Sequence, residues 1–167
     1  MDMVERFSRY FGETVCLVSG EWKRERNLMT AAWVIPLSSD PPLVGVAISP
    51  LRYTHQFLEK SKEFGLNILS SEQVELSQYV GTVSGREEDK FSKGLFAVEP
   101  PRKIKAPLIA GCFATMECKL VDSFTTGDHT LFVGQVLEIK VNREKSPLLL
   151  HQGGYYRLGD LLGRYHP

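Results

Sequence analysis

A mainly β, antiparallel fold with a few flanking helices is predicted by three features of this 167-residue chain. From Cys112 to Val121, the residues Cys112, Ala114, Met116, Cys118 and Leu120 alternate with Thr115, Glu117 and Lys119, the period of a strand with one face inward. Thr130 to Val141 repeats the pattern more strongly, with Leu131, Val133, Leu137, Ile139 and Val141 on one side and Glu138 and Lys140 on the other. Leu43 to Ile48 is continuously apolar, as a strand buried on both faces requires. Many short strands of this kind suit a barrel, and a sandwich satisfies the same pattern.

Gly127-Asp128 separates the two alternating runs, so the simplest arrangement is an antiparallel hairpin with a loop of several residues. Two helices interrupt the strands. Thr54 is placed to cap one that runs to about Lys62, with Phe57, Leu58 and Phe64 toward the core. For the second, Ser70 and Gln73 read as a capping box and Leu69 and Val74 as its hydrophobic staple, with an end near Tyr79. Gly81 to Gly94, dense in Gly, Ser and charge, reads as a surface loop, and Pro100-Pro101 to Pro107 as an extended connection. Residues 1–167 show no internal repeat and read as one domain.

Composition narrows the function. Hydrophobic residues make up 43% and charged residues 24% of the chain, the profile of a globular domain with a substantial core. Basic and acidic residues number 20 each, and no run of like charge is long enough for a nucleic-acid or membrane tail. A near-neutral surface resists association poorly, which fits a subunit that hides part of itself in an oligomer. Met1 to Arg6 lacks a basic leader and Val15-Cys-Leu-Val18 is too short for a signal core or a span, so cytoplasmic residence is expected.

Three cysteines make no disulfide framework. On one strand Cys112 and Cys118 would stand roughly 20 Å apart at about 3.3 Å per residue, against the about 7 Å that a bridge tolerates. All three read as buried small hydrophobes. The chain has no Gly-x-Gly-x-x-Gly after a strand, no Walker loop, and no His-Glu-x-x-His, Cys-x-x-Cys or Gly-x-Ser-x-Gly. Rossmann, metalloprotease, zinc and serine-hydrolase readings fall with them, and no metal site is expected.

The chemically richest stretch spans residues 27 to 67: Asn27-Leu-Met-Thr-Ala-Ala-Trp33, the run Asp40 to Pro50, Arg52-Tyr-Thr-His55 and Phe64-Gly-Leu-Asn67. Each block sets small, hydroxyl-bearing or cationic residues beside a strand-like run, the composition of a turn that approaches a phosphate closely. Burying a phosphate dianion takes converging N–H donors, hydroxyls and at least one cation, and Thr30, Ser49, Arg52 and Thr54 offer that set from two turns. On the residues alone, a helix cap at Thr54 and a solvated charge at Arg52 are open alternatives.

These blocks, in this order and spacing, resemble the flavin reductase-like family, whose members fold as an FMN-binding split β-barrel, antiparallel and Greek-key-like. Met29-Thr-Ala-Ala-Trp33, Met116-Glu-Cys118 and Gly127-Asp-His-Thr130 look most like its flavoredoxin-type branch. The resemblance covers about Thr14 to Leu158. It implies FMN as cofactor, with Thr30, Ser49, Arg52 and Thr54 at the phosphate and ribityl chain, and Pro50, Tyr53, His55 and Asn67 in the same cradle. His55 reads either as a phosphate-side donor or as a helix-surface residue.

The resemblance also assigns a ring side and a substrate side. Ala31 and Ala32 would let backbone amides reach the ring, and Trp33 would stack on or wall the isoalloxazine, although a tightly packed strand has the same composition. Lys90-Phe91 matches a family pair set against bound flavin, where an ammonium offsets the negative charge that reduction builds. A solvated Lys beside an anchoring Phe is the alternative. Gly127-Asp128-His129 matches a Gly-Asp-His motif in which the His lies near the nicotinamide or the ring face, which implies Asp128 and His129 as substrate-binding residues. His151 and Tyr155 are placed to reach the site across a dimer interface, and His166 reads as frayed tail.

The implied activity is NAD(P)H:flavin oxidoreduction in a homodimer whose interface completes the sites. Hydride would pass from nicotinamide to FMN, and electrons would leave to free flavin, ferric iron or a partner protein. Such a transfer needs stacking and orientation more than an acid or base, in keeping with the lack of a conventional dyad. The alternative is a flavoredoxin-like electron carrier without NAD(P)H activity, which the bulk of Trp33 favours. A flavin-free barrel serving as an interaction module is a third reading.

Overall fold

A computed structural model describes residues 3–165, with side chains from residue 7 onward, so His166 lies outside the described residues. After a 3-10 segment, Met3–Tyr10, the strands are β1 (Glu13–Thr14), β2 (Cys16–Trp22), β3 (Glu25–Ala31), β4 (Val34–Ser39), β5 (Pro42–Ile48), β6 (Glu63–Ile68), β7 (Val98–Glu99), β8 (Leu108–Ile109), β9 (Ala114–Thr126), β10 (His129–Val141), β11 (Leu149–His151) and β12 (Gly154–Tyr156). The helices are α1 (Tyr53–Ser61) and α2 (Val74–Thr82).

Seven antiparallel strands form the main sheet in the order β3-β2-β6-β9-β10-β5-β4. The sheet curls on itself. Met29 on one edge strand and Val34 on the other pack against a single core that includes Val18, Val46, Leu66, Cys118 and Phe132. Two bulges in the β9–β10 ladder, between Val133 and Gly134 and between Val136 and Glu138, bend the sheet where it must turn. At the first of them Gly134 leaves room for a ring, because a Cβ there would stand 2.5 Å from Phe64 Cζ. The predicted antiparallel, mainly β fold is therefore the observed one.

Three local expectations are corrected. The loop between β9 and β10 is not several residues long: His129 pairs with Thr126, so Gly127 and Asp128 alone make the turn. Gly127, at φ 62°, supplies the positive first turn angle that a two-residue hairpin needs. Leu137, Ile139 and Val141, expected inside, are exposed. The second bulge shifts the alternation by one residue, so Ile139 and Val141 pair with Met116 and Ala114 instead of continuing the face of Leu131 and Val133, and Leu137 and Ile139 border an open apolar groove beside the core.

The third correction concerns helix starts. Thr54 does not cap α1; Arg52 is the N-cap residue, and no side chain bonds the helix end. Ahead of α2, Gln73 Oε1 accepts the Ser70 N–H at 3.0 Å, half of the expected box. That pair closes a turn before the helix, and α2 runs from Val74 to Thr82, beyond the expected end at Tyr79. A second core lies beneath α2, built from residues such as Leu17, Leu28, Leu69, Val80 and Ile109.

Two buried features complete the scaffold. The extended stretch after Pro100 is held by Glu117, whose carboxylate accepts the N–H groups of Arg102, Lys103 and Ile104 at 2.6 to 3.1 Å. All three cysteines are free and buried, Cys118 in the first core and Cys112 in the second. Burial pushes each thiol up to about 12. Among the described residues no helix is long and apolar enough to cross a membrane.

Candidate functional site

A cleft of about 530 Å³ opens where the end of β3, the end of β5, the start of α1, the end of α2 and the tip of the β9–β10 hairpin meet. That is within the range of small-molecule sites. Its two ends differ in chemistry.

One end is cationic. The first turn of any α-helix leaves N–H groups without α-helical partners; at α1 those of Arg52 and His55 bond Ser49 O and Arg52 O, no side chain caps the end, and Tyr53 and Thr54 line the cleft. Arg52, Arg86 and Lys90 line the same end. Among the described residues, none of the three has a carboxylate oxygen within 4.0 Å. Lys90 is only 3% exposed. Its Nζ donates to Leu28 O and Val80 O, each at 2.8 Å, which uses two of three protons. Burial, and next the charge of Arg52, push this ammonium down to about 8.

Around these cations the polar side chains are fixed from below. Asn27 Nδ2 donates to Thr54 Oγ1 at 3.0 Å, in the buried floor of the cleft. Thr30 Oγ1 donates to Ser77 O at 2.8 Å and so ties β3 to α2. Ser49 follows β5, and its carbonyl accepts the Arg52 N–H at 2.9 Å, forming the turn that delivers Arg52. Gly85 permits the loop after α2 to press on Asn27, where any Cβ would collide with the amide.

The opposite end is aromatic. The rings of Trp33 and His129 lie 4.6 Å apart at 39°, and Phe7 stands 6.5 Å from Trp33. His129 Nδ1 bonds Asp128 Oδ1 at 2.7 Å, and His129 in turn holds the Asp128 carboxyl below its usual range. Glu13 also faces this end; burial raises its carboxyl, and a bond from Trp33 acts in the opposite sense.

Of the residues singled out from sequence, Thr30, Ala31, Ala32, Trp33, Ser49, Arg52, Tyr53, Thr54, Lys90, His129 and His151 line the cleft. The others point elsewhere. His55 turns into the fold, with Nε2 at 2.8 Å from Thr130 Oγ1 and its ring against Phe132. Asn67 is fully buried and serves the scaffold, donating to Leu17 O and accepting from the Ile109 N–H. Phe91 packs on the second core under the Arg26 guanidinium, 4.3 Å from its ring centre. Tyr155 packs there too, its hydroxyl 3.1 Å from Ser77 Oγ. Pro50 is exposed outside the cleft, and Asp128 reaches the site only through His129.

The sequence placed Asn27 in the richest block without giving it a role, and passed over Ser84 and Arg86. The roles of Asn27 and Arg86 depend on contacts across 27 and 35 residues, and the local signal for Ser84 and Arg86 was a Ser-Gly-Arg run inside a stretch read as a surface loop.

The family model for the flavin reductase like domain matches residues 7–159. The chain belongs to the flavin reductase-like family. Among curated relatives, an uncharacterized protein of Archaeoglobus fulgidus is 42% identical over 75% of this chain and 70% of its own. The reductase component of 4-hydroxyphenylacetate 3-monooxygenase from Thermus thermophilus is 30% identical over 89% of this chain and 90% of its own. Among solved structures, an FMN-binding protein from Thermus thermophilus superposes with a TM-score of 0.82 at 31% identity, covering 96% and 93% of the two chains. Flavoredoxin from Methanosarcina acetivorans gives 0.84 at 28% identity over 93% and 90%. The curled sheet is thus the split barrel of flavin reductase-like proteins, and the cleft lies on a flavin-binding fold.

Proposed function

We propose that this protein binds FMN in the cleft and works as an NAD(P)H-dependent flavin reductase. The observation that carries this reading is the charge imbalance at the α1 end: Arg52, Arg86 and Lys90 line it, no side chain caps the helix N-terminus, and among the described residues none of the three cations has a carboxylate oxygen within 4.0 Å. A phosphate dianion supplies the missing countercharge, and the hydroxyls of Ser49 and Thr54 stand beside it. FMN, with one terminal phosphate, suits a single such pole, and a Thermus neighbour is itself named FMN-binding.

Bound there, a flavin would supply hydride acceptance and electron release. The chain's own part is positional. Arg52, Lys90 and the Tyr53 and Thr54 N–H groups at the start of α1 neutralise the phosphate, while Ala31 and Ala32 leave backbone amides open to the ring. Trp33 and His129 bound the end at which a second substrate enters. His129, oriented by Asp128, offers its remaining ring nitrogen to an amide or phosphate of the dinucleotide. Cytoplasmic residence suits both NAD(P)H and three free thiols.

Anaerobic mixing of the flavin-loaded protein with NADH or NADPH tests the proposal. Rapid loss of the yellow absorbance is expected. An unchanged spectrum would instead support the second reading, a flavoredoxin-like carrier, which the closeness of Trp33 and His129 at the mouth favours. Colourless protein that takes up no added FMN would sink both.

A homodimer belongs to the same proposal. A second groove of about 650 Å³, mostly apolar, is lined by residues that include Val34, Pro36, Leu43, Val136, Leu137 and Ile139, of which Leu137 and Ile139 stand exposed. A twofold partner presenting the same face covers it.

A further inference from the structure

Arg86 spans the rim of the cationic end. It belongs to the loop after α2, yet its Nη1 donates to Leu51 O at 3.0 Å, in the turn before α1. Its guanidinium lies 5.1 Å from the centre of the Tyr53 ring. The anchor beneath it is set locally, because Ser84 Oγ accepts the Arg86 N–H at 3.2 Å and Ser84 O accepts the N–H groups of Glu87 and Glu88 at 3.1 Å. One planar side chain thus ties the two walls together, donating from one nitrogen while its guanidinium covers the Tyr53 ring, a pairing that the compact ammonium of Lys does not hold at both points at once.

The position of this tie matters. Behind it the cationic end is closed by Asn27, Thr54 and Lys90, none more than 4% exposed. In front of it Leu51 and Arg86 face solvent. Anything attached to the far side of a phosphate held at α1 must leave past the Arg86–Leu51 strap. A terminal phosphate needs no such exit. A dinucleotide flavin does, because its second phosphate and adenosine continue from that point.

We infer that Arg86 is a specificity-determining residue that closes the phosphate end and selects FMN over FAD. The inference rests on the reading of the cleft as a flavin site with its phosphate at α1. Arg86 contributes charge to either ligand, so its selectivity comes from the strap rather than from attraction alone.

The test is titration of the apo protein with FMN, FAD and riboflavin, followed by flavin fluorescence, for the wild type, Arg86→Ala and Arg86→Lys, with circular dichroism and thermal melting to verify folding. The wild type is expected to prefer FMN to FAD by tenfold or more. Arg86→Ala should bring the two within about threefold by weakening FMN while leaving FAD equal or tighter. Arg86→Lys, which keeps the charge and loses the strap, should admit FAD equally well. If either variant fails to fold, the other and Tyr53→Leu, which removes the platform, decide the matter. The inference is overturned if the wild type binds FMN and FAD alike, if Arg86→Ala weakens both in parallel, or if Arg86→Lys keeps the preference. If the wild type binds none of the three flavins, the reading of the cleft itself fails, a result distinct from those outcomes.

Discussion

Raising the pH from 7 to 9 should weaken FMN binding about tenfold, and the loss should trace to Lys90. In the empty cleft burial and the neighbouring Arg52 hold the Lys90 ammonium at about 8, below its ordinary 10.5. A phosphate dianion beside it returns that proton affinity toward the ordinary value, so binding takes up a proton once the free protein has lost it. For a group titrating at about 8 when free and near its usual value when bound, linkage gives about a tenfold rise in Kd between pH 7 and 9, or about 1.4 kcal/mol. The phosphate contributes little to the change, because its second pKa of about 6 leaves it doubly charged throughout. For the empty fold the sign is opposite. The folded value lies below the unfolded one, so between about 8 and 10.5 this group adds stability as pH rises. Fluorescence titration at several pH values checks the binding limb, with Lys90→Met as control. A flat Kd from pH 7 to 9, or the same limb in Lys90→Met, refutes the reasoning.

Two other expectations can be measured directly. Glu117→Ala strips the acceptors from three successive backbone N–H groups and should destabilise the fold by about 3 kcal/mol or more, read as a lower urea midpoint with an unchanged slope; a loss under about 1 kcal/mol would show that water replaces the carboxylate. In sedimentation the wild type should run as a dimer of the 18.8 kDa chain and Ile139→Glu as a folded monomer, and a wild-type monomer at micromolar concentration would remove the twofold interface.

The strand framework was legible because period-two alternation survives in any half-buried strand, and β9 and β10 begin close to where the pattern places them. The bulge beside Leu137 was not legible, since the alternation continues unbroken in sequence while the backbone inserts a residue. Leu137, Ile139 and Val141 consequently kept their spacing and left the face of Leu131 and Val133. In the cleft, Thr30, Ser49, Arg52 and Lys90 could be named because short family-like blocks carry them. His55 and Asn67 belong to equally suggestive blocks, yet one bonds Thr130 and the other bonds Leu17 and Ile109. Block membership does not say toward which side of the strand or helix a polar group turns. Arg86 was invisible for the converse reason, its meaning depending on a carbonyl 35 residues away.

Lys90 grips the carbonyls of Leu28 and Val80 while repelling Arg52, so strand, helix and loop meet at a joint that is electrically overdrawn. An anion lodged there acts as a keystone as well as a cargo. At a hundredfold excess over its Kd such a guest adds about 2.7 kcal/mol to the folded state. Starved of it, the protein should open first where α2 leans on β3.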